Sequence, residues 1–177
     1  MPNAFEAGHR KVIPAVLVYL ERAGDQAMLM LYRNAKPDDY HQGKYNGLGG
    51  KCEPDESPRA AARREIEEEA GLRLPPDVFK LCGILQFPNF KPQKSEDWVV
   101  WVYVAQLPPD QAVWSKGPEG DLVWVPKSKV LDLSLWQGDR HFLPLVLAKR
   151  PFAGTIWYSG QDVLRYELDE LVTGPAR

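Results

Sequence analysis

Apolar residues fall into short dense runs separated by polar stretches rich in proline and glycine, and these runs set the expected elements. Lys11–Glu21 contains IPAVLVYLE, an apolar, β-branched run that predicts a buried strand. Ala27–Arg33 (AMLMLYR) predicts a second strand. Gly24-Asp25 between them is a hairpin-type turn, so the two strands are expected to pair antiparallel. Asn34–Gly43 reads as a polar loop, and Tyr45–Gly49 as a short glycine-bearing segment. Ser57 followed by Pro58 predicts a helix start, with serine as cap and proline in the first turn. Gly71 predicts its end, and Ala62, Ile66 and Ala70 form the stripe expected to pack on a sheet. Val78–Phe87 and Trp98–Leu107 predict strands, with Phe87–Asp97 as a long polar connection near a site. Pro108–Asp121 reads as irregular, Leu122–Val125 as a short strand and Pro126–Val130 as a helical turn. Asp139–Arg150 predicts a helix with Pro144 in or near its first turn. Phe152–Ser159 and Val163–Glu170 predict a terminal strand pair around Gly160-Gln161-Asp162. The expectation is a single α+β domain over residues 1–177, with mixed sheets and few helices and a flexible segment at residues 1–10.

Composition narrows the class. With 177 residues, 44% of them hydrophobic and 26% charged, the chain has the profile of one globular domain with a real core. A formal net charge of −2 argues against a nucleic-acid binder working through a basic surface. It leaves room for a nucleotide whose phosphates are handled through a metal. Cys52 and Cys82 lack metal-ligand spacing and are expected to be reduced thiols. The N-terminus lacks an apolar targeting segment and no run reaches the length of a membrane span, so a soluble cytoplasmic protein is expected, with no membrane partner.

The candidate chemistry lies in GGKCEPDESPRAAARREIEEEAGL, residues 49–72. Glu65, Glu68 and Glu69 stand at i, i+3 and i+4 and project from one helical face. Like charges this close repel, and a hard divalent cation with oxygen ligands would offset the repulsion. Alone, such a run is most often a solvated acidic face. Its flanks change that reading.

Gly50, Glu56, Arg64, Glu65, Ile66, Glu68, Glu69, Gly71 and Leu72 fill every fixed position of the pattern G-x5-E-x7-R-E-U-x-E-E-x-G-U, where U is apolar. This is the Nudix box, and the chain resembles the Nudix hydrolases, which cleave nucleoside diphosphates linked to a further moiety. The resemblance implies the Nudix α/β/α sandwich around a mixed sheet. It implies Mg²⁺, with Mn²⁺ as the alternative, bound by Glu65, Glu68 and Glu69 and by the carbonyl of Gly49. It implies that Arg64 orients a carboxylate of the helix through charge-assisted hydrogen bonds. A further ligand or base is expected from a loop outside the box. Glu119 is the first choice, with Asp121, Glu96 and Asp97 as competitors. Cys52 stands at a variable position of the box and is read as a bystander.

Beyond the box, YNGLGGK (Tyr45–Lys51), Trp136-Gln137-Gly138-Asp139 and the run from Phe142 to Leu168 resemble the MutT-related oxidised purine nucleoside triphosphatases. That resemblance implies hydrolysis of 8-oxo-dGTP and related triphosphates to monophosphate and pyrophosphate. It places Asn46, Phe87, Trp136 and Asp139 in a base pocket and Arg33 against phosphate or sugar. Asn46 offers both donor and acceptor to a purine edge, and the two aromatic rings offer π-faces. One position departs: the family has an aspartate where this chain has Gly138, so one of two base-reading carboxylates is missing. Two alternatives stand beside this reading. One is a Nudix hydrolase of another nucleotide, such as a dinucleoside polyphosphate, a nucleotide sugar or capped RNA. The other is a nucleotide-binding sensor without turnover, which the intact glutamates speak against. The expected partner is a small-molecule nucleotide, without stable nucleic-acid binding. No self-complementary patch stands out, so a monomer is expected.

Overall fold

The sheet is organised on β1 (Lys11–Arg22) and β5 (Glu96–Leu107), which run parallel in continuous register from Lys11↔Glu96 to Arg22↔Leu107. The computed structural model describes residues 10–172; the expectation of a flexible start at residues 1–10 lies, apart from Arg10, outside them. Around this pair lie β2 (Met28–Arg33), β4 (Lys80–Lys91), β6 (Lys116–Gly117), β7 (Gly120–Val125), β8 (Phe152–Ser159) and β9 (Asp162–Glu170). The spatial order is β6-β7-β2-β1-β5-β4-β8-β9, and β3 (Tyr45–Asn46) pairs with β2. β4 and β8 are also parallel and the remaining pairs antiparallel, so the sheet is mixed as expected.

Strand alternation feeds two cores. Ala15, Tyr19, Met28, Met30, Val100, Val102 and Val104 point to one face, where α2 (Asp139–Leu147) packs through Phe142, Leu143 and Val146. Val16, Val18, Leu20, Leu29, Leu31, Tyr103 and Ala105 point to the other, where α1 (Pro58–Ala70) packs through Ala61, Ala62, Ile66 and Ala70. Helix, sheet and helix therefore form three layers.

α1 starts and stops where its local chemistry dictates. The Ser57 hydroxyl accepts from the Ala60 N–H at 3.2 Å, Pro58 sits in the first turn, and Gly71 takes φ 69° with its N–H on the Glu67 carbonyl. The hairpin of β1 and β2 forms as expected, but it holds register only at Leu20↔Leu29 and Glu21↔Met28. Below that point the glycine segment takes the place of β2 against β1. Val18 and Leu48 exchange N–H···O bonds of 2.6 and 3.0 Å, and Val16 N–H donates to the Gly50 carbonyl at 2.8 Å. This insertion carries residues 47–51 onto the sheet beside α1.

Three expectations are corrected. Phe87–Asp97 is not a loop: β4 continues to Lys91, a 3-10 turn spans Pro92–Lys94, and β5 begins at Glu96. A register shift between Phe87 and Lys91, with Asn89 at φ 52°, absorbs Pro88, and the Asp97 carboxylate caps the Asn89 N–H at 2.6 Å. Pro108–Asp121 contains β6, and β7 starts at Gly120, earlier than expected. Pro144 sits in the interior of α2 rather than in its first turn, and the helix ends at Leu147. Burial of Phe142, Leu143 and Val146 outweighs the hydrogen bond that proline removes, and Lys149 at φ 54° ends the helical path.

Candidate active site

Gly49 is the hinge between sheet and helix. It adopts φ 148°, and a Cβ there would overlap the Val16 carbonyl oxygen. In that conformation its N–H donates to Glu69 Oε2 at 2.8 Å. Glu69 is 5% exposed, nearly as buried as the apolar stripe of its own helix. Burial raises its pKa well above the carboxylate range, and neighbouring Glu119 and Glu65 push the same way. Glu65 lies against the Cα of Gly50, and its pKa is raised by burial in opposition to the pull of Arg64. Glu68, by contrast, faces solvent.

Arg64 organises the cluster's other side. It donates to both oxygens of Glu56 at 2.9 Å, to Glu65 at 2.8 Å, to Glu68 at 3.3 Å and to the Lys51 carbonyl at 3.0 Å. Its fork therefore ties the glycine loop to the helix. Of the four loop acids considered, only Glu119 bears on Glu69. Glu119 also pairs with Arg33, which holds Asp39 at 2.6 Å. Asp121 is taken by Asn34, Asp97 by Arg10 and the Asn89 N–H, and Glu96 by Trp98 Nε1.

A cavity of about 180 Å³ opens beside this cluster. Its walls include Gly49 and Gly50 together with Arg33, Asn46, Phe87, Trp136 and Asp139. All the residues expected in the base pocket thus share one cavity with the glycine loop. Trp136 is 6% exposed, and its Nε1 donates to His41 Nδ1 at 2.9 Å. Tyr40 stacks on Trp136 at a centroid distance of 5.1 Å and anchors through its hydroxyl on the Gly160 carbonyl. Burial holds His41 near pKa 4, so it is neutral and can accept from Trp136. Burial pushes Asp139 up to about 7 against the opposing charges of Lys44 and Arg140. A larger cavity of about 450 Å³, lined by Leu81, Cys82 and Lys149, shares no residue with the glycine loop or the aromatic cluster.

The family model of the NUDIX domain matches residues 11–146, which spans both the cluster and most of the cavity. The chain belongs to the Nudix family. It is a Nudix hydrolase, an enzyme acting on phosphoanhydride bonds. The oxidized purine nucleoside triphosphate hydrolase of Danio rerio is 29% identical over 137 residues, covering 77% of this chain and 84% of that protein. Its counterpart from Mus musculus is 27% identical over the same shares. The crystal structure of a MutT protein from Bacillus halodurans superposes with a TM-score of 0.74 at 28% identity, covering 89% of this chain and 97% of that one.

Nudix hydrolases generally use divalent metal ions, and the donor set here suits one. Glu65 and Glu69 each give one oxygen to a fixed N–H donor, and burial among other carboxylates raises both pKa values. A hard cation would relieve that crowding. As the side chains stand, no three His, Cys, Asp or Glu among the described residues are grouped as a formed cage, so the glutamates are a donor set rather than a closed site.

His41, Phe90, Lys91 and Tyr158 also line the cavity of this Nudix hydrolase and were not foreseen. His41 lies in the polar loop and carries no local signal. Phe90 sits inside the register shift between Phe87 and Lys91, and Lys91 resumes the pairing, in a stretch whose prolines predict a connection. Tyr158 was visible only as one aromatic of a C-terminal strand.

Proposed function

We propose that this Nudix hydrolase cleaves modified purine nucleoside triphosphates, 8-oxo-dGTP among them, to the monophosphate and pyrophosphate with Mg²⁺ as cofactor. The carrying observation is that Gly49 and Gly50, which contact Glu69 and Glu65, line one cavity together with Asn46, Trp136 and Asp139. The names of the Danio rerio and Mus musculus relatives support the same substrate class.

In this reading Trp136, held by His41 and Tyr40, stacks the base, and Phe87 bounds the other wall. Asn46 and Asp139 read the base edge, and Asp139 near pKa 7 is able to donate as well as accept. Arg33 reaches the sugar or phosphates. Glu65, Glu68, Glu69 and the Gly49 carbonyl would hold the cation, which when bound would supply charge neutralisation for the phosphates and acidify a water. Glu119 is the base that orients the attacking water beside Glu69, and Arg64 fixes Glu56 and Glu65 so that the donors hold their aim. The protein acts as a cytoplasmic monomer, one domain over its length, on a free nucleotide. Among the described residues no helix is long and apolar enough to cross a membrane.

Product analysis tests the reading. With 8-oxo-dGTP and Mg²⁺ the protein should release monophosphate and pyrophosphate, and Glu69→Gln should lower kcat by about 100-fold or more with unchanged circular dichroism. Near-normal turnover in that variant would remove Glu69 from the chemistry.

A further inference from the structure

Gly138 has no room for a side chain. A Cβ there would overlap the hydroxyl oxygen of Tyr158, with the ring at 3.0 Å and Ile156 Cγ2 at 3.2 Å. Gly138 caps the N-terminus of α2, where backbone N–H groups lack helical partners. Its N–H donates to the Tyr158 oxygen at 2.8 Å. The phenol therefore stands where residue 138 would carry a side chain, directly before Asp139.

That bond leaves the phenol with a defined polarity. Its oxygen accepts from Gly138, so its own hydrogen is the remaining group to be satisfied. No hydrogen bond from the Tyr158 hydroxyl to an acceptor forms among the described residues. Its ring neighbours are Phe87, Phe90 and Trp136 at centroid distances of 6.1 to 6.2 Å, and it lines the same cavity as Asn46 and Asp139. Apolar rings cannot take the proton, whereas a base seated on Trp136 can.

We propose that the Tyr158 hydroxyl, fixed on the Gly138 N–H, is a specificity-determining hydrogen-bond donor that selects a purine with a carbonyl at C6 over one with an amino group. A carbonyl accepts from it. An amino group cannot accept from it, so the phenol hydrogen would go unpaired in a largely apolar pocket. The inference rests on the purine triphosphate reading above and specifies it. Asp139 next to Gly138 supplies the second polar contact, so one carboxyl and one phenol together read the edge.

The test compares kcat/KM for 8-oxo-dGTP and 2-oxo-dATP, the latter carrying the C6 amino group, in wild type and Tyr158→Phe. The variant should lose about tenfold on 8-oxo-dGTP, mostly through KM, and stay within about twofold on 2-oxo-dATP. Gly138→Ala, which keeps the phenol but displaces its oxygen, should shift the ratio the same way, and it decides the matter should Tyr158→Phe not fold. An unchanged ratio, or equal losses on both substrates, would make Tyr158 a strut for α2 only and overturn the inference while leaving the purine reading intact. A wild-type protein that turns over neither substrate would overturn both.

Discussion

Gly49→Ala is the sharpest perturbation of the link between fold and site. Gly49 adopts φ 148°, which costs a residue with a side chain about 1–3 kcal/mol. The added methyl also overlaps the Val16 carbonyl of a central strand, and overpacking of that kind costs about 1–3 kcal/mol more. The total, roughly 2–6 kcal/mol, corresponds to a fall in Tm of roughly 4–24 °C for a chain of this size. Gly160→Ala is the control. Gly160 also has positive φ, at 60°, but an added Cβ meets nothing within 4 Å, so only the backbone cost of about 1–2 kcal/mol remains. Urea or thermal unfolding of both variants, followed by circular dichroism, measures the difference. Because the Gly49 N–H holds Glu69 at 2.8 Å, kcat should fall in Gly49→Ala and stay near wild type in Gly160→Ala. Equal destabilisation of the two, or full activity in Gly49→Ala, would refute the claim that the loop is locked onto β1 to aim the glutamate.

Three further outcomes are expected. EDTA should abolish turnover, and Mg²⁺ or Mn²⁺ should restore it, read by pyrophosphate release; full activity in chelator would end the metal assignment. Arg64→Lys keeps the charge but loses the two-pronged contact to Glu56, so kcat should fall about tenfold with a Tm drop of a few degrees. Asp139 is raised from 3.8 to about 7 while facing Lys44, Arg140, Tyr19 and Tyr158. The folded state therefore binds more protons than the unfolded one between those values, and its contribution to stability, complete below pH 4, is lost as pH rises through 7. Asp139→Asn should flatten that part of the stability profile, checked by denaturation at pH 4, 6 and 8.

The helix of the site was legible because its cues are local. Ser57 with Pro58, Gly71, and the alanine–isoleucine stripe each act within a turn or two. The three glutamates were legible as a face but not as individuals. Glu69 is buried and Glu68 solvent-facing because the glycine segment docks on β1 and covers one side of α1, a contact 20 residues away in sequence. The parallel pairing of β1 with β5 is equally non-local. Phe87–Asp97 failed as a loop because prolines outvoted an aromatic alternation that a bulge allows to continue. The lining of the candidate cavity was half legible: Asn46, Phe87, Trp136 and Asp139 share it, but His41 and Tyr158 arrive from a loop and a C-terminal strand. The vacancy of a side chain at Gly138 was readable, whereas the phenol that fills it depends on how β8 meets α2.

The central claim is that one cavity couples the glutamate edge to a purine-reading end. The most direct measurement ranks kcat/KM with excess Mg²⁺ for 8-oxo-dGTP, dGTP, a dinucleoside polyphosphate and ADP-ribose. The proposed function predicts 8-oxo-dGTP first, with dGTP behind it and the dinucleoside polyphosphate and ADP-ribose slower still. A dinucleoside polyphosphate or ADP-ribose at the head of that ranking would contradict the account.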